Sequence, residues 1–87
     1  MSNTAGKEVQ AFVLLEAKAG MALEASRQVA KVQGVVSSYA VTGPFDVIAQ
    51  AQAADIKALA QIVVAEIQAL SSVTRTVTCI VLEGGTT

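Results

Sequence analysis

Hydrophobic and polar positions alternate in short blocks along this chain, and the blocks predict six elements. Val9 to Ala17 reads as a strand, rich in Val, Leu and Phe. Its centre, Ala11 to Leu15, is apolar at every position, so it wants cover on both faces. Met21 to Val32 has helical period, with Leu23, Ser26, Val29 and Ala30 near one face and Glu24, Arg27, Gln28 and Lys31 largely on the other. Gly34 follows as a C-terminal glycine of that helix. Val35 to Thr42 reads as a strand, Gly43-Pro44 as a reversal, and Phe45 to Ala53 as the next strand. Asp55 is an N-cap for a helix running to about Leu70, along which Ile56, Leu59, Val63, Ile67 and Leu70 keep helical spacing. Val73 to Glu83 is the last strand.

The order βαββαβ predicts an α+β, ferredoxin-like fold: two right-handed crossover units forming one four-stranded antiparallel sheet with both helices on one face. Period two along the strands then assigns faces. Phe45, Val47, Ala49 and Ala51 turn toward the helices, as do Val77, Cys79 and Val81. Asp46, Ile48, Gln50, Thr76, Thr78 and Ile80 fall on the open face. Residues 1–8 and 84–87 read as flexible tails around a single domain of residues 9–83.

Composition adds a requirement for company. The chain has 87 residues, 53% of them hydrophobic and 15% charged, against a usual charged share of about 25%. A chain this short cannot bury that much apolar surface by itself, which predicts an obligate oligomer. The net charge is −1 and the six basic residues are scattered, so no basic stripe exists to hold nucleic acid. The apolar runs are too short to span a membrane and the N-terminus has no signal-peptide core, so no membrane partner is expected. A single cysteine leaves a cytoplasmic address as the default.

Enzyme chemistry finds little support. There is no histidine, no carboxylate pair placed for acid-base work, and no zinc or phosphate-loop spacing. No cofactor or metal is expected, and Cys79 reads as a small core residue between Val77 and Val81. The chemistry that remains lies in Tyr39-Ala-Val-Thr-Gly-Pro-Phe-Asp46 and in the last strand. Gly43-Pro44 leaves backbone exposed, and Asp46 is a lone carboxylate opening an apolar run, costly there unless something binds it. Such a turn can hold an ammonium group, or it can be a hairpin turn with a solvated acid. Thr74, Thr76 and Thr78 can take hydrogen bonds from a ligand, or reflect the ordinary preference of Thr for strands. Arg75 reads as an edge charge or an inter-subunit ion pair, and Tyr39 as an interface ring or a ligand-stacking one.

Tyr39 to Asp46, followed by Val47-Ile48, resembles the turn of the effector-binding (RAM) domain of Lrp/AsnC transcriptional regulators. Val73-Thr-Arg-Thr-Val-Thr-Cys-Ile-Val-Leu82 is similar to that domain's last strand, and the resemblance spans residues 9 to 83. It implies a stand-alone effector domain without the helix-turn-helix. It also implies a dimeric α/β barrel, assembly of dimers into a ring, and an amino acid effector bound between dimers. Carried onto this chain, Gly43 offers backbone contacts and Asp46 takes the ammonium. Thr76 and Thr78 contact the carboxylate or side chain, and Tyr39 and Val41 shape the pocket. Pro44 stands where the family often has an acidic residue, and Ser71-Ser72 where it often has Pro-Gly. Three functions compete: an amino-acid-binding regulatory module, an assembly subunit that co-oligomerises with full-length Lrp/AsnC regulators, and a small dimeric α/β-barrel enzyme.

Overall fold

The computed structural model describes residues 8–83, so the expected tails lie outside the described residues except for Glu8. Strand β1 is Val9–Ala17, helix α1 Ala22–Ala30, strand β2 Val35–Ala40 and strand β3 Val47–Ala53. Helix α2 is Ile56–Gln61, continued in π register by Ile62–Ile67, and strand β4 is Val73–Ile80. The sheet runs β2-β3-β1-β4 with every neighbouring pair antiparallel. This is the expected βαββαβ sandwich.

The core is one-sided. Val13 and Leu15 of β1 and Val47 and Ala49 of β3 are fully buried, packed with Ala25 and Val29 of α1 and Val63 and Ile67 of α2. A smaller cluster of Ala11, Ala51 and Leu59 closes the other end. Phase decides which helical residues contribute. On α2 the buried residues Leu59, Val63 and Ile67 recur every fourth position, whereas Ile56 at the helix start is exposed. On α1 the inward residues are Ala25 and Val29, and Leu23 and Ala30, expected on that face, are exposed. Asp55 caps α2 as expected, accepting the Ala58 N–H at 2.7 Å.

Three boundaries differ from expectation, each for a local reason. Helix α1 ends at Ala30 because its last turn tightens: Lys31 N–H bonds Gln28 O and Val32 N–H bonds Val29 O. Gly34 therefore stands in a later turn, at φ +99°, where a side chain would run into Ile62. Strand β2 stops at Ala40 and β3 begins at Val47, since residues 41–46 form a wide turn around Gly43 at φ +132°.

The facing of β4 is a correction. Its register sets Thr76 against Leu15, Thr78 against Val13 and Ile80 against Ala11, so these residues share the helix side. Val77 and Cys79 oppose Leu14 and Phe12 and lie on the open face. Cys79 is accordingly exposed rather than a core residue. The open face is itself apolar, so apolar alternation along β4 marks that face and not the helix side.

Candidate functional site

The turn between β2 and β3 is held by three interactions. Val41 N–H donates to Asp46 O at 2.9 Å, closing the loop, and Asp46 N–H donates to Leu15 O at 2.8 Å. The Asp46 carboxylate then accepts the Ala17 N–H through Oδ2 at 2.8 Å. Asp46 is thus half-buried and fixed against β1, while Thr42, Gly43 and Pro44 are exposed. Tyr39 pairs with Ile48 across β2 and β3 and projects onto the open face, 62% exposed, so its ring is free for a neighbour. Val41 is half-buried just beyond it.

The start of β4 forms a second polar group at the same end of the sheet. A cavity of about 430 Å³ is lined by Gln68, Val73, Thr74, Arg75 and Thr76. Gln68 donates through Nε2 to Thr76 Oγ1 at 2.8 Å, and the Thr74 hydroxyl donates to Glu16 O at 3.1 Å. The strand enters this region through Ser72, fully buried, whose hydroxyl donates to Gln28 Oε1 at 2.6 Å. Ser72 thereby ties β4 to α1 by a side-chain hydrogen bond. Arg75 bonds Glu16 Oε2 at 3.1 Å, and its guanidinium lies 5.9 Å from the centre of the Phe45 ring. Arg75 therefore links β4 to the turn that carries Asp46.

One chain does not bring the expected site residues together. Tyr39, Val41, Gly43 and Asp46 gather at one end of the β2–β3 hairpin. Thr76 lies on the helix side of β4, at the other edge of the sheet, and Thr78 is exposed two residues further on. Sequence reasoning missed Gln68, which looked like any polar helix residue, and gave Arg75 no place in the site. The available signal for Arg75 was that it is the one guanidinium of β4, in the strand singled out for its threonines. Among the described residues no three His, Cys, Asp or Glu side chains converge as metal ligands.

The Lrp/AsnC ligand binding domain model matches residues 10–84. The chain belongs to this family. Its fold is close to that of TTHA0845 from Thermus thermophilus, with a TM-score of 0.83 at 28% identity over 91% of this chain and 99% of that one. A transcriptional regulator from Neisseria meningitidis, NMB0573, crystallised as a complex with L-Met, matches at a TM-score of 0.79 and 28% identity, over 95% of this chain and 56% of that one. AsnC of E. coli superposes at a TM-score of 0.87 with 22% identity, over 100% of this chain and 60% of that one, a likeness of fold. A search of curated proteins finds no match. As an Lrp/AsnC ligand-binding domain, the chain is a small-molecule-binding module of the regulator type.

Proposed function

We propose that this Lrp/AsnC domain binds an amino acid between copies of the chain and passes the binding event to a partner through its assembly. The observation that carries this reading is the separation of two complementary groups in the fold. The turn offers Gly43 backbone and the Asp46 carboxylate, and the β4 cavity offers Arg75 with the Thr76 hydroxyl. An amino acid needs an anion for its ammonium and donors for its carboxylate. Asp46 spends Oδ2 on Ala17, and a carboxylate has about four lone-pair sites, which leaves Oδ1 for a ligand. A second copy that docks its β4 region near the turn completes the set, with Thr78 and Tyr39 at the margins. The complex of the Neisseria relative with L-Met supports the ligand class.

The open sheet face supports the assembly. Phe12 is 42% exposed and Tyr39 62% exposed, and Leu14, Ile48 and Val77 lie beside them only half-buried. Exposed apolar surface of this kind marks an interface. Sheet-to-sheet pairing into an α/β barrel, and pairing of dimers into a ring, covers it. The same face favours a second reading, in which the chain co-assembles with a full-length Lrp/AsnC regulator and takes no ligand.

A thermal-shift screen over the common amino acids separates the two, because a ligand that binds only the folded state raises its melting temperature. At a hundredfold excess over Kd the stabilisation is about 2.7 kcal/mol, which reads as a shift of roughly 10–20 °C in a domain of this size. No shift with any amino acid, in a protein that is oligomeric by light scattering, would leave the assembly reading.

A further inference from the structure

We propose that the hydrogen bond between Ser72 and Gln28 is a clasp that positions the β4 ligand site: it holds a bulge at Thr74, and the bulge aims Arg75 and opens the cavity beside it. The inference rests on the amino-acid reading above and adds to it the residues that set the site's shape. Ser72 is the one buried polar residue among the described residues, and it is not itself part of the cavity lining.

The register of β4 on β1 has one break. Glu16 pairs with Arg75 and the next residue, Ala17, with Val73, so Thr74 is an extra residue with no partner on β1. The break changes the faces the strand presents. Regular alternation would put Val73 on the same face as Arg75 and Val77. Instead Val73 packs with Ala17 against the helix-side core, while Arg75 opposes Glu16 on the open side. A bulge bends its strand and raises the local twist, and bulges are over-represented beside active sites, where they re-aim a side chain. The β4 residues of the cavity, Val73 to Thr76, all lie at this bulge.

A bulge has to be held, because its extra residue makes no ladder pair. Val73 supplies part of the hold, but it is only half-buried, and apolar contact has no preferred direction. Ser72 supplies the rest from two sides. Its carbonyl accepts the Lys18 N–H at 2.9 Å, and Lys18 O accepts the Met21 N–H at 2.9 Å at the start of α1. Its hydroxyl donates to Gln28 Oε1 at 2.6 Å. The Gln28 amide is itself oriented, since Nε2 donates to Glu24 Oε2 at 3.2 Å. The reverse orientation would set Oε1 against the Glu24 carboxylate, so Gln28 is the acceptor at Ser72 and the hydroxyl is its donor. Away from solvent such a bond is directional and costly to break. Strand entry is thereby fixed to α1 and to the β1–α1 turn together. Loss of either partner frees the residue before the bulge, lets Thr74 shift along the ladder, and takes the aim of Arg75 with it.

Amide hydrogen exchange and calorimetric titration of the full chain test this together. The variants are Ser72→Ala, Gln28→Met, those two combined, and a swap of Glu24→Gln with Gln28→Glu that keeps an acceptor for Ser72. The titration probes are L-methionine, the ligand of the Neisseria relative, and L-methioninamide. An amino acid that the thermal screen ranks above L-methionine takes its place, with its own amide. Exchange of the Lys18 N–H should quicken about three- to tenfold in Ser72→Ala and in Gln28→Met. Exchange of the Val81 N–H, bonded to Gln10 O at the other end of β4, should stay as in the parent.

The amino acid should bind about three- to tenfold more weakly to both variants, and the preference for acid over amide should shrink by the same factor, because the loss falls on Arg75. The combined variant removes both hydrogen-bond partners, so it should recover stability lost in Gln28→Met without recovering affinity, and the swap should bind as the parent does. Affinity that returns with stability in the combined variant, or parent-like affinity in Ser72→Ala and Gln28→Met, would overturn the proposal. So would equal quickening at Lys18 and Val81, which marks a general loss of stability. A parent chain that binds no amino acid in the screen would instead overturn the amino-acid reading and, with it, the clasp's part in binding, while the Lys18 exchange still decides whether the clasp holds the bulge.

Discussion

The Ala17 N–H donates to Asp46 Oδ2 at 2.8 Å, so a side chain ends the β1–β3 ladder just past its last backbone pair, Leu15 with Val47. The carboxylate is therefore both a strand terminator and the proposed ammonium ligand. The two roles separate by substitution. Asp46→Asn keeps an oxygen for Ala17 and removes the charge, whereas Asp46→Ala leaves the Ala17 donor without its partner. Asp46→Ala should lower stability by about 1–2 kcal/mol, and Asp46→Asn by much less. Loss of a charge-assisted contact of about 1.5–3 kcal/mol should weaken amino acid binding roughly ten- to a hundredfold in Asp46→Asn. Calorimetric titration with size measured alongside checks this. Unchanged affinity in an intact oligomer would remove Asp46 from the site.

Gly34 and Gly20 both have positive φ, +99° and +79°, but only Gly34 has a neighbour in the way. Gly20→Ala should cost about 1–2 kcal/mol, the backbone penalty alone. Gly34→Ala also meets Ile62 Cδ1, the tip of a side chain that can turn aside, and should cost about 0.5–1.5 kcal/mol more, the cost of pushing that side chain off its rotamer. Shortening Ile62 to Val in the Gly34→Ala background should recover part of that difference and none of the backbone term. Urea unfolding of the series measures it, and equal costs for the two glycines would contradict the close approach.

The order of elements was legible because period-two and helical blocks follow one another cleanly, and Asp55 announced its helix. The face of β4 was not, because Thr76 and Thr78 sit at a sheet edge where the helices give little cover, while Val77 and Cys79 join an apolar open face. The turn was read too narrow because Val41 and Phe45 are apolar and look like strand. The π register left no trace, since Leu59, Val63 and Ile67 keep a spacing that suits either helix. Within the site, Gly43 and Asp46 stood out as a glycine turn beside a lone acid. The bond from Ala17 could not be foreseen, because it joins positions 29 residues apart whose proximity exists only once β1 pairs with β3.

The apolar open face predicts a homo-oligomer at low micromolar concentration. Phe12 sits at its centre, on β1 between β3 and β4, opposite Gln50 and Cys79. Phe12→Glu places a charge where a second sheet would pack and should shift the protein toward monomer without unfolding it, since the ring is 42% exposed in the isolated chain. Light scattering reads the change. A parent protein that is a folded monomer of about the chain mass, 8.9 kDa, would sink the assembly and the shared ligand site together.

With a net charge of −1 and scattered basic residues, the chain should show no appreciable affinity for duplex DNA at moderate salt. A gel-shift titration at two salt concentrations checks this. Tight binding that weakens steeply with salt would contradict it.

Arg75 offers the sharpest test of how the ligand lies. It is 58% exposed and paired with Glu16, and an exposed pair of this kind contributes about 0–1 kcal/mol, so Arg75→Gln should leave stability nearly unchanged. Its guanidinium is the cation of the β4 cavity, which makes it the expected partner of a ligand carboxylate. The parent protein should then prefer a free amino acid to its amide by about tenfold or more, the worth of one charge-assisted pair. Arg75→Gln should abolish that preference, weakening the acid while leaving the amide where it was. Glu16→Gln should move the other way, because it frees Arg75 from its internal partner. Titration of the three proteins with an amino acid found in the thermal screen, and with its amide, gives the six affinities needed. If Arg75→Gln still distinguishes acid from amide as the parent does, the carboxylate is held elsewhere and the β4 cavity is not its site.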